Sequence, residues 1–295
     1  METPSRLQAQ LEGREGVTRQ KAARLVLDLA MTAGAERLIE VDDAHISGVS
    51  VLTGGHGLRR FLADLSSDGD GTVSIPATLN SAGCDADKIE EMGIAYPQFL
   101  EAQFEIIHAY QSLGIQATLS CTPYDRGIDQ HGIGSWAESN AVCFANTWSS
   151  LMTNRESGLS ALATALTGFA PEWGLHLEQH RQPNILVYLD ADLHHLSDWS
   201  IFGDWIGKQV RAGWDLPYGP MPYIIGAPRH MSFGMKKALT AAAANYGTPM
   251  LWVHEHSTQG ILDLAESGDP QCPGCLLYTS PSPRDVEESR MPSSA

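Results

Sequence analysis

The chain has 295 residues, 43% of them hydrophobic and 18% charged, which is the make-up of a globular protein with a sizeable core and not of a disordered one. A formal net charge of −16 argues against a nucleic-acid or anionic-membrane surface, although a local site can still take a small anion. Five scattered cysteines make no secreted disulfide framework, and there is neither a signal-length apolar N-terminus nor a run of about 18 apolar residues, so a soluble, cytoplasmic protein without a membrane span is expected.

Thr18 to Gly34 carries apolar residues at helical spacing (Ala22, Leu25, Leu29, Ala30), with Gly34 as a plausible C-cap. Short β-like runs then recur at Arg37–Val41, Thr72–Ile75, Gln116–Cys121, Ala141–Ala145, Ile185–Asp190, Pro222–Gly226 and Pro249–His254. Between them lie helical candidates at Gly57–Leu65, Asp87–Met92, Gln98–Leu113, Leu159–Leu166, Trp199–Val210 and Phe233–Tyr246. This alternation predicts an α/β protein with largely parallel sheets flanked by helices. Residues 1–266 form one expected domain, without internal repeats or a long linker.

Beyond Asp269 the periodicity stops and Pro and Ser dominate. Within this tail, "CLLYTSPSPRD" (Cys275–Asp285) matches, letter for letter, one reading frame of a common transposase sequencing adapter. Residues 267–295 are therefore expected to be a non-native, disordered tail, with the natural protein continuing past it. A natural flexible tail is the alternative.

Four segments carry possible chemistry. In "HISGVS" (His45–Ser50) Gly48 permits a tight turn, and the backbone N–H groups of Gly48, Val49 and Ser50 could cradle an anion. The plain alternative is an ordinary βα loop. "PATLNSAGCD" (Pro76–Asp85) places Asn80 and Ser81 where βα loops meet ligands, although these residues also favour turns for backbone reasons. "LSCTPY" puts Cys121 at the end of an expected strand, as nucleophile, metal ligand or inert thiol.

The fourth, "WAESNAVCFANTWSSLMTNRESG" (Trp136–Gly158), reads as a buried strand over Ala141–Ala145 bracketed by polar residues. Glu138, Ser139 and Asn140 stand on one side, Asn154 and Arg155 on the other. Burying such groups unpaired is costly, so a site explains them better than a core does. Arg155 suits bidentate recognition of a carboxylate or phosphate; a surface salt bridge, with Asn154 as a helix N-cap, is the alternative. His254 and His256 lie i, i+2 around Glu255 and leave a zinc hydrolase open as a minor reading, without HExxH or a recognisable third ligand. "CPGC" (Cys272–Cys275) straddles the adapter-like junction and reads as accidental.

Taken in order, "LEGREG", "GAERLIEVDDAHISGVS", "PATLNSAGCD", "CTPY", "WAESNAV", "FAN", "TNRESG", "SALATALTG" and "GLH" resemble the aconitase X family. That family includes archaeal phosphomevalonate dehydratase large subunits and bacterial cis-3-hydroxyproline dehydratases. The resemblance weakens through "LSDWSIFGDWIGKQV" and fades near Val253. It implies an aconitase-like catalytic domain completed by a swivel domain, either fused or a separate small subunit. It also implies a hydro-lyase that dehydrates a small hydroxy acid, 5-phosphomevalonate or cis-3-hydroxy-L-proline, with an iron–sulfur cluster as Lewis acid.

Carried over by position, Cys121 would be one cluster ligand, with the remaining ligands beyond the end of this chain. Gly48, Val49, Ser50, Asn80 and Ser81 would line the substrate pocket and Arg155 would pair with an anionic group. Glu138 and Ser139 would contact the reacting end, with His45 a nearby acid–base group. Cys84 and Cys143 match no family ligand and read as structural. Ser150 and Met152 depart from the family's Gly and Arg, and the lost Arg bears on substrate choice; "GGH" (Gly54–His56) departs after "SGVS". Such a chain alone is expected to be inactive. The competing reading is a protein that binds a small anion without chemistry.

Overall fold

A computed structural model describes residues 3–66, 71–85, 88, 91–93, 97–126, 131–211, 221–254 and 275–279. The chain forms two compact units, Met1–Arg181 and Gln182–Ala295. The first opens with helices α1 (Ser5–Leu11) and α2 (Val17–Ala33). α2 buries Ala22, Ala23, Val26 and Ala30 and ends, as its sequence predicts, on a left-handed Gly34. There follow β1 (Leu38–Glu40), β2 (Asp43–Ile46), α3 (Val51–Ser66), β3 (Ala77–Leu79), α4 (Pro97–Ser112) and β4 (His131–Trp136). α5 (Ser139–Trp148), β5 (Ser150–Arg155), α6 (Gly158–Thr167) and β6 (Phe169–Pro171) complete the unit.

Its sheet has the order β3-β2-β4-β5, and every pair is parallel. β1 and β6 form a separate antiparallel ribbon. Side chains alternate across the sheet, so Ala44, Ile46 and Leu79 join a core with α2, α4 and α6. Trp136 and Leu151 pack on the other face against Ala141, Val142, Phe144 and Ala145 of α5.

The second unit alternates β7 (Ile185–Asp190), α7 (Leu196–Arg211), β8 (Pro222–Ile225), α8 (Phe233–Ala244), β9 (Trp252–Val253) and β10 (Cys275–Thr279). Its sheet, in the order β10-β7-β8-β9, is also parallel throughout. Among the described residues no helix is long and apolar enough to cross a membrane.

The α/β alternation is as expected, but several elements differ. Ala141–Ala145 is the middle of helix α5, not a strand. Ala141 through Asn146 are all buried, so no polar face marks the 3.6-residue period, and a five-residue apolar run is ambiguous between helix and strand. The true strands beside it, "HGIGSW" and "SLMTNR", were hidden by their polar residues. Asn154 therefore lies in β5 and is not a helix N-cap.

Thr72–Ile75 is not a strand: Val73 N–H bonds to Leu113 O and Ser74 N–H to Ala165 O, one bond to each of two neighbours. Gln116–Cys121 makes a single bridge from Gln116 to Thr78, so Cys121 follows an irregular segment and not a strand. α3 starts at Val51, earlier than Gly57, with a break at Gly55 where "GGH" interrupts it. Cys275–Thr279, in the stretch expected to be disordered, pairs as β10 with β7; an apolar "CLLYT" run fits an open parallel edge whatever its origin. Half of the expected helix Asp87–Met92 lies outside the described residues, as do His256 and Cys272.

Candidate active site

In the first unit all four parallel strands end on the same edge. β2, β4 and β5 lead directly into α3, α5 and α6, and β3 leads into the Asn80–Asp85 turn. Ligands of open α/β sheets bind at such carboxyl edges, where loops and helix N-termini converge. The pairing register aligns Thr78, His45, Trp136 and Arg155 in one row across the four strands. The sequence-predicted residues Gly48–Ser50, Asn80, Ser81, Glu138 and Ser139 all follow within five positions of the row's member on the same strand. The structure thus gathers them at one edge.

Glu138 is the N-cap of α5, and its carboxylate sits in a small network. Asn80 Nδ2 donates to Oε2 at 2.6 Å, and Asn140 Nδ2 to Oε1 at 2.9 Å. β3 and β4 flank β2, about 10 Å apart at ordinary strand spacing. The Asn80–Glu138 bond therefore spans the end of β2. Asn140 also donates to Cys121 O at 3.3 Å and accepts from Tyr124 OH at 3.2 Å. Asn80 Oδ1 accepts from Ser81 N–H, which shapes the turn after β3.

Past Ile46, Gly48 turns the chain at a φ of 80°, a backbone region that favours glycine. Val49 is buried, so only its backbone is available to a ligand. Among the described residues, the backbone N–H groups of Gly48, Val49 and Ser50 make no hydrogen bond. Three neighbouring donors without partners, at the entry to a helix, suit an anion.

Arg155 ends β5 and is exposed, and its neighbours brace the strand. Asn154 Oδ1 accepts from Leu175 N–H at 2.7 Å, and its Nδ2 donates to Trp173 O and to His176. His176 Nε2 bonds Gly134 O at 3.0 Å, so "GLH" ties β5 to β4. Asn146 of "FAN" holds α5 to β5 through both its groups, to Thr153 O at 2.9 Å and from Thr153 N–H at 3.1 Å. Arg181 Nη1 adds a 2.8 Å bond to Asn146 Oδ1. These motif residues are braces for the site and not ligands.

His45 lies one row behind the edge and is fully buried. Its Nδ1 is 2.8 Å from Thr78 Oγ1, and burial lowers its pKa to about 4, so the ring is neutral near pH 7. Asp43, two positions earlier on the same strand face, accepts from Trp136 Nε1 at 3.0 Å. Burial, reinforced by the Asp42 charge, raises the Asp43 pKa to about 7 against the Trp136 bond. Sequence reading missed Asp43 because "DD" at a strand start reads as a solvated turn.

Of the described cysteines, Cys121 is exposed, Cys84 half-buried and Cys143 buried. Burial pushes the Cys143 thiol up to about 12, which fits a structural role. No group of three or more His, Cys, Asp or Glu that could hold a metal occurs among the described residues. At the site's edge they offer a cluster two thiols, Cys121 and Cys84 of the turn after β3, and by themselves do not fit one. His254, considered as a zinc ligand, packs its ring against Tyr223 in the second unit, and His256 lies outside the described residues.

Gln103 was also missed. It stands on the apolar stripe of α4 among Phe99, Ala102 and Ile106, and it is buried. A glutamine on an otherwise apolar face is the signal that would have found it. A cavity of about 560 Å³ adjoins it, lined by Ser81, Gly83, Cys84, Phe104 and Leu119.

A family model described as the aconitase X first domain matches residues 2–179. The phosphomevalonate dehydratase large subunit of Thermococcus kodakarensis is 37% identical over 211 residues, 70% of this chain and 51% of that protein. The large subunit from Methanothermobacter thermautotrophicus is 35% identical over 262 residues, 88% of this chain and 63% of its own length. Cis-3-hydroxy-L-proline dehydratase of Pseudomonas aeruginosa is 37% identical over 194 residues, 65% of this chain and 32% of its own. The crystal structure of Thermococcus kodakaraensis aconitase X (holo-form) superposes with a TM-score of 0.79 at 29% identity, covering 98% of this chain and 69% of that one. The chain spans about half the length of several curated relatives that it matches.

Proposed function

Because the chain belongs to the aconitase X family, we propose that it is the catalytic part of a hydro-lyase that removes water from a small hydroxy acid. The observation that carries this reading is the set of unpartnered N–H groups at Gly48, Val49 and Ser50, on the same sheet edge as the Glu138 carboxylate. The turn receives the substrate's phosphate or carboxylate. Asn80 and Ser81 border it, and Arg155 pairs with an anionic group.

Dehydration next to a carboxylate needs a base for the α-proton and a partner for the negative charge that builds up. Glu138 is the base candidate. Asn80 and Asn140 hold its carboxylate from two directions, which limits its freedom and so favours one attack geometry. Ser139, the first residue of α5, contacts the reacting end. His45 serves as a neutral imidazole in the wall behind them.

Departure of the hydroxyl is assigned to no described residue. An iron–sulfur cluster, if held by Cys121 together with residues outside those described, would supply the Lewis acid for that step. A swivel domain or small subunit is the proposed partner, and phosphomevalonate and cis-3-hydroxy-L-proline are the proposed substrates; both follow the relatives' names.

The test is calorimetric titration with each acid, together with a dehydration assay of the enzyme with its cluster and swivel part in place. Binding followed by loss of water from one acid supports the proposal. Binding without turnover, in that complete enzyme, would shift the reading to an anion-binding protein.

A further inference from the structure

Gln103 touches both turns that this functional reading assigns to the substrate. Its Oε1 accepts from Val51 N–H at 3.0 Å and from Gly83 N–H at 3.3 Å. Its Nε2 donates to Val49 O at 2.9 Å. The side chain is 2% exposed, so all three bonds are made at the inner end of the turns. A flipped amide would set its NH₂ against two N–H donors, which fixes one orientation.

The two turns also touch directly. A Cβ added at Gly83 would collide with Ser50 Oγ, so glycine is what lets the second turn close on the first. The 81–85 turn borders the 560 Å³ cavity beside α4, with Ala82 packed on the core and Ser81 N–H held by Asn80 Oδ1. Gln103 adds the side-chain hydrogen bond that ties this turn to the 48–51 turn.

We propose that Gln103 is a positioning residue that locks the 48–51 turn to the 80–84 turn at the spacing the substrate's anionic group requires. This rests on the functional reading for its ligand, and on the hydrogen bonds alone for the lock. Gln103→Leu leaves two half-buried N–H groups and one buried carbonyl without this partner. Gln103→Glu keeps both acceptor contacts, but its carboxylate faces Val49 O unless it is protonated. Protonation restores the third bond, so the Glu variant recovers at low pH.

The test follows amide exchange by NMR and titrates the chain with 5-phosphomevalonate and cis-3-hydroxy-L-proline. In Gln103→Leu, the amides of Val51 and Gly83 are expected to exchange about tenfold faster or more, while those of α2 and α6 keep their protection. Affinity for the acid that binds wild type is expected to fall about tenfold. In Gln103→Glu, affinity is expected near wild type at pH 5 and weaker at pH 8, beyond any change wild type shows.

Unchanged protection of the two amides overturns the lock. Lost protection with unchanged affinity overturns its role in binding. If wild type binds neither acid, the functional reading fails, and the two amides alone decide whether the lock exists.

Discussion

Asn80 and Glu138 are joined by a 2.6 Å hydrogen bond that reaches across the end of β2, linking two strands that do not touch. The carboxylate therefore answers to two segments far apart in sequence, the turn after β3 and the N-terminus of α5. Its position is a property of the sheet and not of one loop.

Replacing Glu138 by Gln keeps the shape and removes the base. Dehydration by the complete enzyme is expected to fall by about 10²-fold or more, with a stability loss of only about 1 kcal/mol from the weakened cap. Steady-state rates and thermal unfolding check both. An active Gln variant would remove Glu138 from the chemistry.

Arg155→Ala is expected to raise KM about tenfold or more, because a charge-assisted partner of the anion is lost. Arg155→Lys is expected to recover only part of it, since an ammonium lacks the planar fork. The unfolding midpoint should barely move, because Arg155 is exposed at the end of β5. Equal KM values in all three proteins would sink the assignment.

His45 and Asp43 set opposing pH dependences. His45 has its pKa lowered from 6.5 to about 4, so its contribution is complete above pH 6.5 and is lost as pH falls towards 4. Asp43 is raised from 3.8 to about 7, so its contribution is complete below pH 3.8 and is lost as pH rises through 7. Between those limits the two slopes partly cancel. Asp43→Asn keeps an acceptor for Trp136 and removes the second slope. It is expected to be more stable than wild type at pH 8 by on the order of 1–3 kcal/mol, and close to it at pH 4. Urea unfolding at the two pH values decides; a variant less stable at pH 8 contradicts the burial of the charge.

Asn146→Leu is expected to cost about 2–4 kcal/mol, because Thr153 and Arg181 lose their buried partner together. Denaturant unfolding measures it. A loss under 1 kcal/mol would mean that the α5–β5 clamp is held by its apolar contacts instead.

The chain as it stands is expected to hold no stable iron–sulfur cluster, since the described residues bring two thiols, Cys121 and Cys84, to the site's edge and no group of three metal ligands. Iron and acid-labile sulfide would be counted after anaerobic reconstitution. A stoichiometric cluster would contradict this expectation, and its loss in Cys121→Ser would identify the ligand at the same time.

The α/β class and the second unit's helices and first two strands were legible in the sequence, because apolar runs there alternate with helical stripes. The site loops were legible as well, since Gly, Asn and Ser cluster after β2 and β3. The region around α5 was not. A helix buried on every side carries no amphipathic pattern, and strands with His, Ser, Thr, Asn and Arg do not look apolar. Gln103 and the Asn146 clamp escaped for a different reason: their partners lie in other segments, and spacing along the chain carries no trace of them.

β2 supplies the buried imidazole of His45, and three positions later the open N–H groups begin. Scaffold and recognition are thus interleaved along a few residues, and a change to one is felt by the other. Altering ligand preference through residues 45–51 will trade specificity against folding. The corners after β4 and β5, where Ser139 is half-buried and Arg155 exposed, are where a new preference can evolve at a smaller penalty.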